Sequence, residues 1–117
     1  IPAGALLMLD EAYGEFAPEG TLPPLEVSNP RVLRFRTFSK AYGLAGMRLG
    51  YCIGHADLIR AFDKIRNHFG VTKMGQVAGV AALADQDHLR SVVAQVKSAR
   101  EKIAAVAEAN GLKPLPS

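Results

Sequence analysis

Three short apolar runs in the first half of the chain predict the strands of a β-sheet. Residues 5–9 read ALLML without a polar interruption, which is typical of a central parallel strand buried on both faces. Residues 32–38 are rich in β-branched and aromatic side chains and predict a second, buried strand, and residues 49–53 (LGYCI) predict a third. Glycine and proline interrupt residues 11–30, so we expect a loop there with at most one helical turn.

From residue 55 onward the apolar side chains recur at the spacing of a helix. Residues 56–67 predict a first helix with a charged outer face. Residues 73–84 predict a second helix, with Thr72 as its N-cap. Because this second segment is rich in alanine and nearly uncharged, we expect it to be largely buried.

A third helix is predicted over residues 88–109, with its apolar side chains on one stripe. Asp85 or Asp87 is expected to cap its start, and Gly111 is a stop signal at its end. At about 1.5 Å per residue, such a helix would reach about 30 Å, which is long enough to bridge two domains. The uninterrupted apolar run at residues 5–9 is typical of the parallel strands of an α/β fold.

Composition and charge argue against several classes of protein. A hydrophobic content of 49% in 117 residues predicts an ordered, globular chain. Because the 14 basic and 11 acidic residues are interspersed, we expect no nucleic-acid partner, and no apolar run approaches the length of a membrane span. Cys52 is the only cysteine and is expected to be a small core residue, while the three histidines are widely spaced, so no metal site is predicted.

The chemistry of the chain is concentrated in residues 37–50, where the second strand ends in a glycine-rich turn. Lys40 carries a primary amine, the group that an aldehyde cofactor needs to form an imine. Thr37 and Ser39 offer hydroxyl donors and Arg48 offers a planar guanidinium, a set that suits a phosphate. A surface lysine, and an arginine paired with a carboxylate, are the alternatives for Lys40 and Arg48.

A second polar group follows the first predicted strand, at residues 10–13 (DEAY). Asp10 falls at the carboxyl end of that strand, where open α/β sheets place their ligands. The alternatives are a turn or helix-cap aspartate for Asp10 and an amphipathic core residue for Tyr13. Glu11 is expected to be structural or exposed to solvent.

These two segments together resemble a known family. Residues 37–51 (TFSKAYGLAGMRLGY), preceded by DEAY, resemble the lysine and aspartate landmarks of fold-type I pyridoxal-phosphate aminotransferases of class I/II, especially the histidinol-phosphate aminotransferase-like branch. The resemblance implies pyridoxal 5′-phosphate as cofactor, with Lys40 as the catalytic residue that forms its Schiff base and carries the substrate proton. It also implies contacts to the pyridine nitrogen from Asp10, to the ring O3′ from Tyr13, and to the phosphate from Thr37, Ser39 and Arg48.

The resemblance further implies what surrounds the site. Residues 1–85 would belong to the large cofactor-binding domain, with a mostly parallel sheet, and residues 86–117 would form a long interdomain helix and linker toward the small C-terminal domain. The chain is then expected to be an interior piece of a cytoplasmic, homodimeric enzyme, and inactive alone. The implied reaction is transamination between histidinol phosphate or an aromatic amino acid and a 2-oxo acid such as 2-oxoglutarate.

Three alternatives stay open from the sequence. A phosphothreonine decarboxylase uses the same scaffold and cofactor but cleaves a different Cα bond. A non-catalytic module could bind a phosphorylated ligand through Arg48, Thr37 and Ser39, with Lys40 as a mere charge. Finally, the chain could fold poorly alone, because a piece of a larger domain exposes sheet edges.

Overall fold

A computed structural model describes residues 2–115 of the chain as three strands followed by three α-helices. Two single 3₁₀ turns also occur: Gly14–Phe16 follows residues 10–13, and Ala45–Met47 lies within the glycine-rich segment 37–50. In this region of the chain no helix is both long and apolar enough to cross a membrane. The strands and helices are β1 (Leu7–Asp10), β2 (Val32–Thr37), β3 (Gly50–Gly54), α1 (Ala56–Asp63), α2 (Lys73–Ala84) and α3 (Gln86–Ala109).

The three strands form one sheet in the order β1-β2-β3. β1 pairs with β2 in parallel and places Asp10 opposite Phe35, whereas β2 and β3 are antiparallel and place Thr37 opposite Gly50. The predicted α/β class is confirmed, and within the described residues the sheet is mixed. The second and third predicted strands are confirmed to within one residue at each end.

The first strand is parallel, as predicted, but the expectation that it is central and buried on both faces is wrong for this structure. It begins at Leu7 and lies at one edge of the sheet, and Met8 is 64% exposed. The reason is that β2 has both sheet neighbours, while within residues 2–115 no strand pairs with the outer edge of β1. An apolar run predicts a strand, but it does not supply the neighbour that would bury it.

The buried apolar core lies where β2 runs into the glycine-rich turn. Leu33, Phe38 and Ala41 are its buried members. The Phe38 ring packs against Tyr42 and Tyr51, with ring centroids 5.0 and 5.6 Å away. Tilted aromatic pairs at these distances stabilise a core beyond the area that they bury.

Helix α2 has the predicted bounds, and the Thr72 hydroxyl accepts the Gly75 amide hydrogen at 3.0 Å as its N-cap. The prediction that α2 is largely buried is wrong, since its buried residues are Gly75 and Gly79 while Val80 is 72% exposed. The helix approaches the core through its glycines. A Cβ atom at Gly79 would lie 2.5 Å from Leu49 Cδ2, so the side without side chains is the one that packs.

Helix α3 has 24 residues, which corresponds to about 36 Å. It begins two residues earlier than predicted, because the Asp85 carboxylate accepts the His88 amide hydrogen at 3.0 Å and caps the first turn. Asp85 also follows the last residue of α2, so one residue ends one helix and caps the next. The predicted end at Ala109 is confirmed, and Gly111 adopts a φ of +74° just beyond it. The role of α3 as an interdomain helix stays a prediction.

Helix α1 ends at Asp63, four residues before the predicted end. The amide of Ile65 bonds to Phe62 three residues back, so the last turn tightens. Ile65 itself is 82% exposed. With no apolar surface for Ile65 to cover, nothing extends the helix through it.

Candidate active site

The predicted site residues lie at the carboxyl ends of β1 and β2. Asp10 is the last residue of β1, Thr37 is the last residue of β2, and Lys40 follows three positions later. Because β1 and β2 are parallel neighbours, their carboxyl ends meet at one edge of the sheet. This is the edge where open α/β sheets bind ligands.

Lys40 and Tyr13 come together at this edge. The Lys40 Nζ atom lies 4.9 Å from the centroid of the Tyr13 ring, within the range of a cation–π contact. Both side chains are exposed, so a ligand can reach the amine and the phenol. The Gly14 amide donates to the Glu11 carbonyl at 2.9 Å and closes the turn that presents Tyr13.

Asp10 is exposed and forms a local turn at the end of β1. Its Oδ1 atom accepts the Ala12 amide hydrogen at 3.0 Å. This is the turn arrangement weighed for Asp10 from the sequence, and it orients the carboxylate without using Oδ2. The side chain can therefore hold the turn and accept a second hydrogen bond from a ligand.

The Thr37 hydroxyl ties the two arms of the glycine-rich turn together. It accepts the Ser39 amide hydrogen at 3.1 Å and donates to the Leu49 carbonyl at 3.4 Å. The Ser39 hydroxyl has no hydrogen-bond partner within residues 2–115 and is half-buried, so it remains a donor for a ligand. Thr37 thus shapes the turn, while Ser39 is open to an incoming anion.

Arg48 has a φ of +50°, and among the described residues it is the non-glycine residue in the left-handed region. This conformation costs an L-residue about 1–2 kcal/mol, and such strain clusters at functional sites. One guanidinium nitrogen, Nη1, donates to the Ala45 carbonyl at 2.9 Å. The side chain is exposed, so its other N–H groups can reach an anion.

Next to the site residues lies an ion-pair cluster of Glu11, Arg34 and Arg36, in which Glu11 and Arg34 are buried and Arg36 is half-buried. Glu11 Oε1 lies 2.5 Å from Arg34 Nη2, and Glu11 Oε2 lies 2.9 Å from Arg36 Nε. Burial alone would raise the pKa of Glu11, but the hydrogen bonds and charges of both arginines outweigh it and hold that pKa below its ordinary value. The expectation of a structural role for Glu11 is confirmed, although it is not exposed.

Sequence reasoning missed the partners of Glu11. Arg34 and Arg36 are two residues apart in β2, so they point to the same face of the sheet. An acidic residue directly after the neighbouring parallel strand was the signal that could have paired them. Two charges inside an otherwise apolar strand need a buried counter-charge, and Glu11 supplies it.

The structure also shows the surroundings of Cys52, of His55 and of the potential metal ligands. Cys52 is half-buried in β3, and burial raises the pKa of its thiol. His55 is the N-cap of α1, where its Nδ1 accepts the Asp57 amide hydrogen at 3.3 Å. No group of three or more potential metal ligands occurs within residues 2–115.

A cavity of the described chain lies away from the strand ends. It has a volume of about 650 Å³ and lies between α3 and the loop that follows the first 3₁₀ turn. None of the predicted site residues lines it. We therefore place the site by the chemistry at the strand ends and not by cavity size; the cavity walls include Phe16, Pro18, Val93, Val96, Lys97 and Leu115.

The fold of the chain is that of a known family. The sequence model of "Aminotransferase class I and II" matches residues 2–117, so the chain belongs to this family. The resemblance seen in the sequence is thereby confirmed.

Individual relatives sharpen the family assignment. A histidinol-phosphate aminotransferase of Syntrophotalea carbinolica is 46% identical over 82% of this chain and 27% of its own length. An aromatic amino acid aminotransferase of Mycobacterium tuberculosis is 42% identical over 100% of this chain and 34% of its own. The crystal structure of a histidinol-phosphate aminotransferase from Sinorhizobium meliloti in complex with pyridoxal-5′-phosphate superposes with a TM-score of 0.96 at 52% identity, over 100% of this chain and 32% of that one. The chain thus spans about a third of the length of these relatives.

Proposed function

We propose that this chain forms part of a pyridoxal 5′-phosphate-dependent aminotransferase and that the cofactor binds at the carboxyl edge of β1 and β2. The observation that carries the proposal is the meeting of Lys40, Tyr13 and Asp10 at that edge. The similarity to a relative solved with pyridoxal-5′-phosphate, over the whole chain, supports the same cofactor here.

The groups present fit the ring of this cofactor. When bound, pyridoxal phosphate supplies an electron sink for the electrons released at the substrate Cα. Lys40 would provide the primary amine for the cofactor aldehyde and, once the substrate amine has displaced it, would be free to carry the Cα proton. Asp10 can accept a hydrogen bond from a protonated ring nitrogen through its second oxygen, and Tyr13 can donate its phenol hydrogen to O3′.

The turn residues fit the phosphate. Ser39 has a hydroxyl to donate, and Arg48 presents N–H groups from a strained backbone position at the end of the turn. Thr37 holds the turn in shape and lies beside Ser39. A charge-assisted arginine contact with hydroxyl donors is a common way to bind a phosphate.

For the substrates we propose histidinol phosphate and 2-oxoglutarate as the leading pair, with aromatic amino acids as the second amino donors. The support is that similar relatives carry both names. We also propose a homodimeric, cytoplasmic enzyme. The relatives named above are aminotransferases, which favours transamination over the decarboxylase and the non-catalytic module.

The cofactor proposal is tested with the full-length protein, its Lys40→Ala variant and a Lys64→Ala control, which changes an exposed lysine beyond α1. We expect a near-visible absorbance band with pyridoxal phosphate. Borohydride should then fix the cofactor onto the peptide that contains Lys40. Lys64→Ala should keep the band and Lys40→Ala should lose it. A wild-type protein that binds the cofactor without any covalent link would contradict the proposal.

The substrate proposal is tested by single-turnover loss of the same band with a panel of amino donors. Histidinol phosphate should give the highest kcat/KM, and phenylalanine and tyrosine the next. Among the donors that carry a carboxylate, a decarboxylated product in place of a 2-oxo acid would instead favour the decarboxylase. A panel led by an unrelated amino acid would overturn the substrate assignment but not the reaction class.

A further inference from the structure

Glu11 is a buried carboxylate that has no role in the proposed chemistry. It is 4% exposed, and its partner Arg34 is 3% exposed. One carboxylate here faces two guanidinium groups, because Arg36 binds its second oxygen. Glu11 is therefore the counter-charge on which both arginines depend.

The cluster joins the two strands that carry the site. Glu11 directly follows Asp10 at the end of β1, and its amide donates to the Phe35 carbonyl of β2 at 2.9 Å. Its side chain reaches β2 a second time through Arg34 Nε at 2.6 Å and Arg36 Nε at 2.9 Å. Main chain and side chain thus fix the same residue to the same neighbouring strand.

The cluster also reaches the other parts of the site. The Glu11 carbonyl accepts the Gly14 amide hydrogen and closes the turn that carries Tyr13. Arg34 Nη1 donates to the Pro24 carbonyl at 3.0 Å and so holds the loop between β1 and β2. Arg36 lies four residues before Lys40 on the same strand and turn.

From these contacts we infer that Glu11 is a positioning residue: it sets the spacing of the Asp10 carboxylate and the Tyr13 ring relative to the Lys40 amine. The inference rests on the proposed function. A catalytic constellation must be held to within a fraction of an ångström, and side chains behind it commonly supply that restraint.

Stability alone does not account for this cluster. Replacement of a buried ion pair by apolar side chains of similar volume is often neutral or stabilising, so a buried charge cluster is weak evidence for a stabilising role. An apolar pair makes no directed hydrogen bonds, so it cannot fix the relative position of two strands in the same way. Two directed hydrogen bonds, from Arg34 Nε and Arg36 Nε, together with the Arg34 Nη2 ion pair fix where the β1 end lies on β2.

The test uses the full-length protein with Glu11→Gln, and Glu19→Gln as a control at an exposed carboxylate on the following loop. The readouts are the affinity for pyridoxal phosphate and the pH midpoint of the absorbance of the Lys40-linked cofactor. We expect Glu11→Gln to bind about tenfold more weakly, as is typical when a supporting partner behind a ligand is lost, and to have a shifted midpoint. Glu19→Gln should match the wild type in both.

Two further variants separate positioning from folding. Glu11→Leu combined with Arg34→Met and Arg36→Met should recover the wild-type unfolding midpoint, since no charge is left buried, but should keep the weakened affinity and the shifted pH midpoint. If Glu11→Gln does not fold, Glu11→Asp takes its place. It keeps the charge on a side chain one methylene shorter and should show smaller changes of affinity and pH midpoint in the same direction.

Wild-type affinity together with a wild-type pH midpoint in folded Glu11→Gln or in the folded triple variant would overturn the inference. Failure of the proposed function looks different. In that case the wild-type protein itself has no cofactor trapped on Lys40, whereas failure of the positioning role leaves trapping intact in every protein.

Discussion

Charged side chains are buried in the sheet, whereas apolar side chains are exposed along α2. In β2, Arg34 is buried against Glu11, the residue that directly follows Asp10. In α2, the buried residues are two glycines, while Val77 and Val80 face outward. The comparison teaches that the segment carrying the chemistry is fixed by directed polar contacts, and that the helix is held by close backbone approach.

The largest effect should follow from breaking the buried cluster from the arginine side. Arg34→Met removes the main partner of Glu11 and leaves a buried carboxylate with Arg36 alone. We expect a loss of about 3–5 kcal/mol in the free energy of unfolding, measured by chemical denaturation and circular dichroism. Arg90→Met, at an exposed arginine of α3, is the control and should be nearly silent.

Acid should cause a smaller loss in the free energy of unfolding. Protonation removes the charge of Glu11 but keeps the size and shape of its side chain. The folded-state pKa of Glu11 lies below its ordinary value of 4.5. Its contribution is therefore complete above that ordinary value and is lost as the pH falls through the lower folded-state pKa. Unfolding free energies measured from pH 7 to pH 2 should fall in this window, and the Glu11→Gln variant should show a shallower fall. Equal slopes would show that other carboxylates set the acid response.

The close packing of α2 can be broken at Gly79. Gly79→Val would push side-chain atoms into Leu49, where a Cβ atom alone would already lie 2.5 Å from Cδ2. Overpacking of this kind costs about 1–3 kcal/mol, measured again by denaturation. The matched control is Ala81→Val on the exposed side of the same helix. A Gly79→Val protein as stable as Ala81→Val would mean that α2 does not rest on its glycine face.

The smallest effect is expected on the outer face of α2. Val80→Ala removes an exposed side chain, and the free energy of unfolding should change by less than about 0.5 kcal/mol. Alanine also has the better helix propensity, which acts to increase the free energy of unfolding. A loss of several kcal/mol in the full-length protein would show that this face is covered there.

The sequence predicted the elements better than it predicted their burial. The bounds of α2 and the end of α3 were predictable because caps and stop signals are local: Thr72 binds the Gly75 amide, and Gly111 has positive φ. The burial of β1 and α2 was not predictable, because apolar character does not say which surface will be adjacent. The end of α1 was missed since Ile65 fits the helical period but meets no apolar partner.

The candidate site shows the same division. Asp10 and Lys40 could be placed at neighbouring strand ends, because a strand pattern and a parallel pairing fix where each strand stops. The cation–π contact with Tyr13 and the left-handed backbone of Arg48 depend on the path of a loop and a turn, which the sequence pattern does not encode. The proposed ligand contacts of all the site residues stay predictions, namely those of Asp10, Tyr13, Thr37, Ser39, Lys40 and Arg48.

The shared residue between the last two helices has a mechanical consequence. Asp85 ends α2 and caps α3 with one backbone conformation, φ −90° and ψ 71°. A helix is stiff, so a change of torsion at Asp85 would turn α3 as one body about this single residue. A rotation of about 10° at Asp85 would move the far end of α3 by about 6 Å, given its length of about 36 Å. Small changes of torsion beside α2 are thus amplified into large displacements at Ala109.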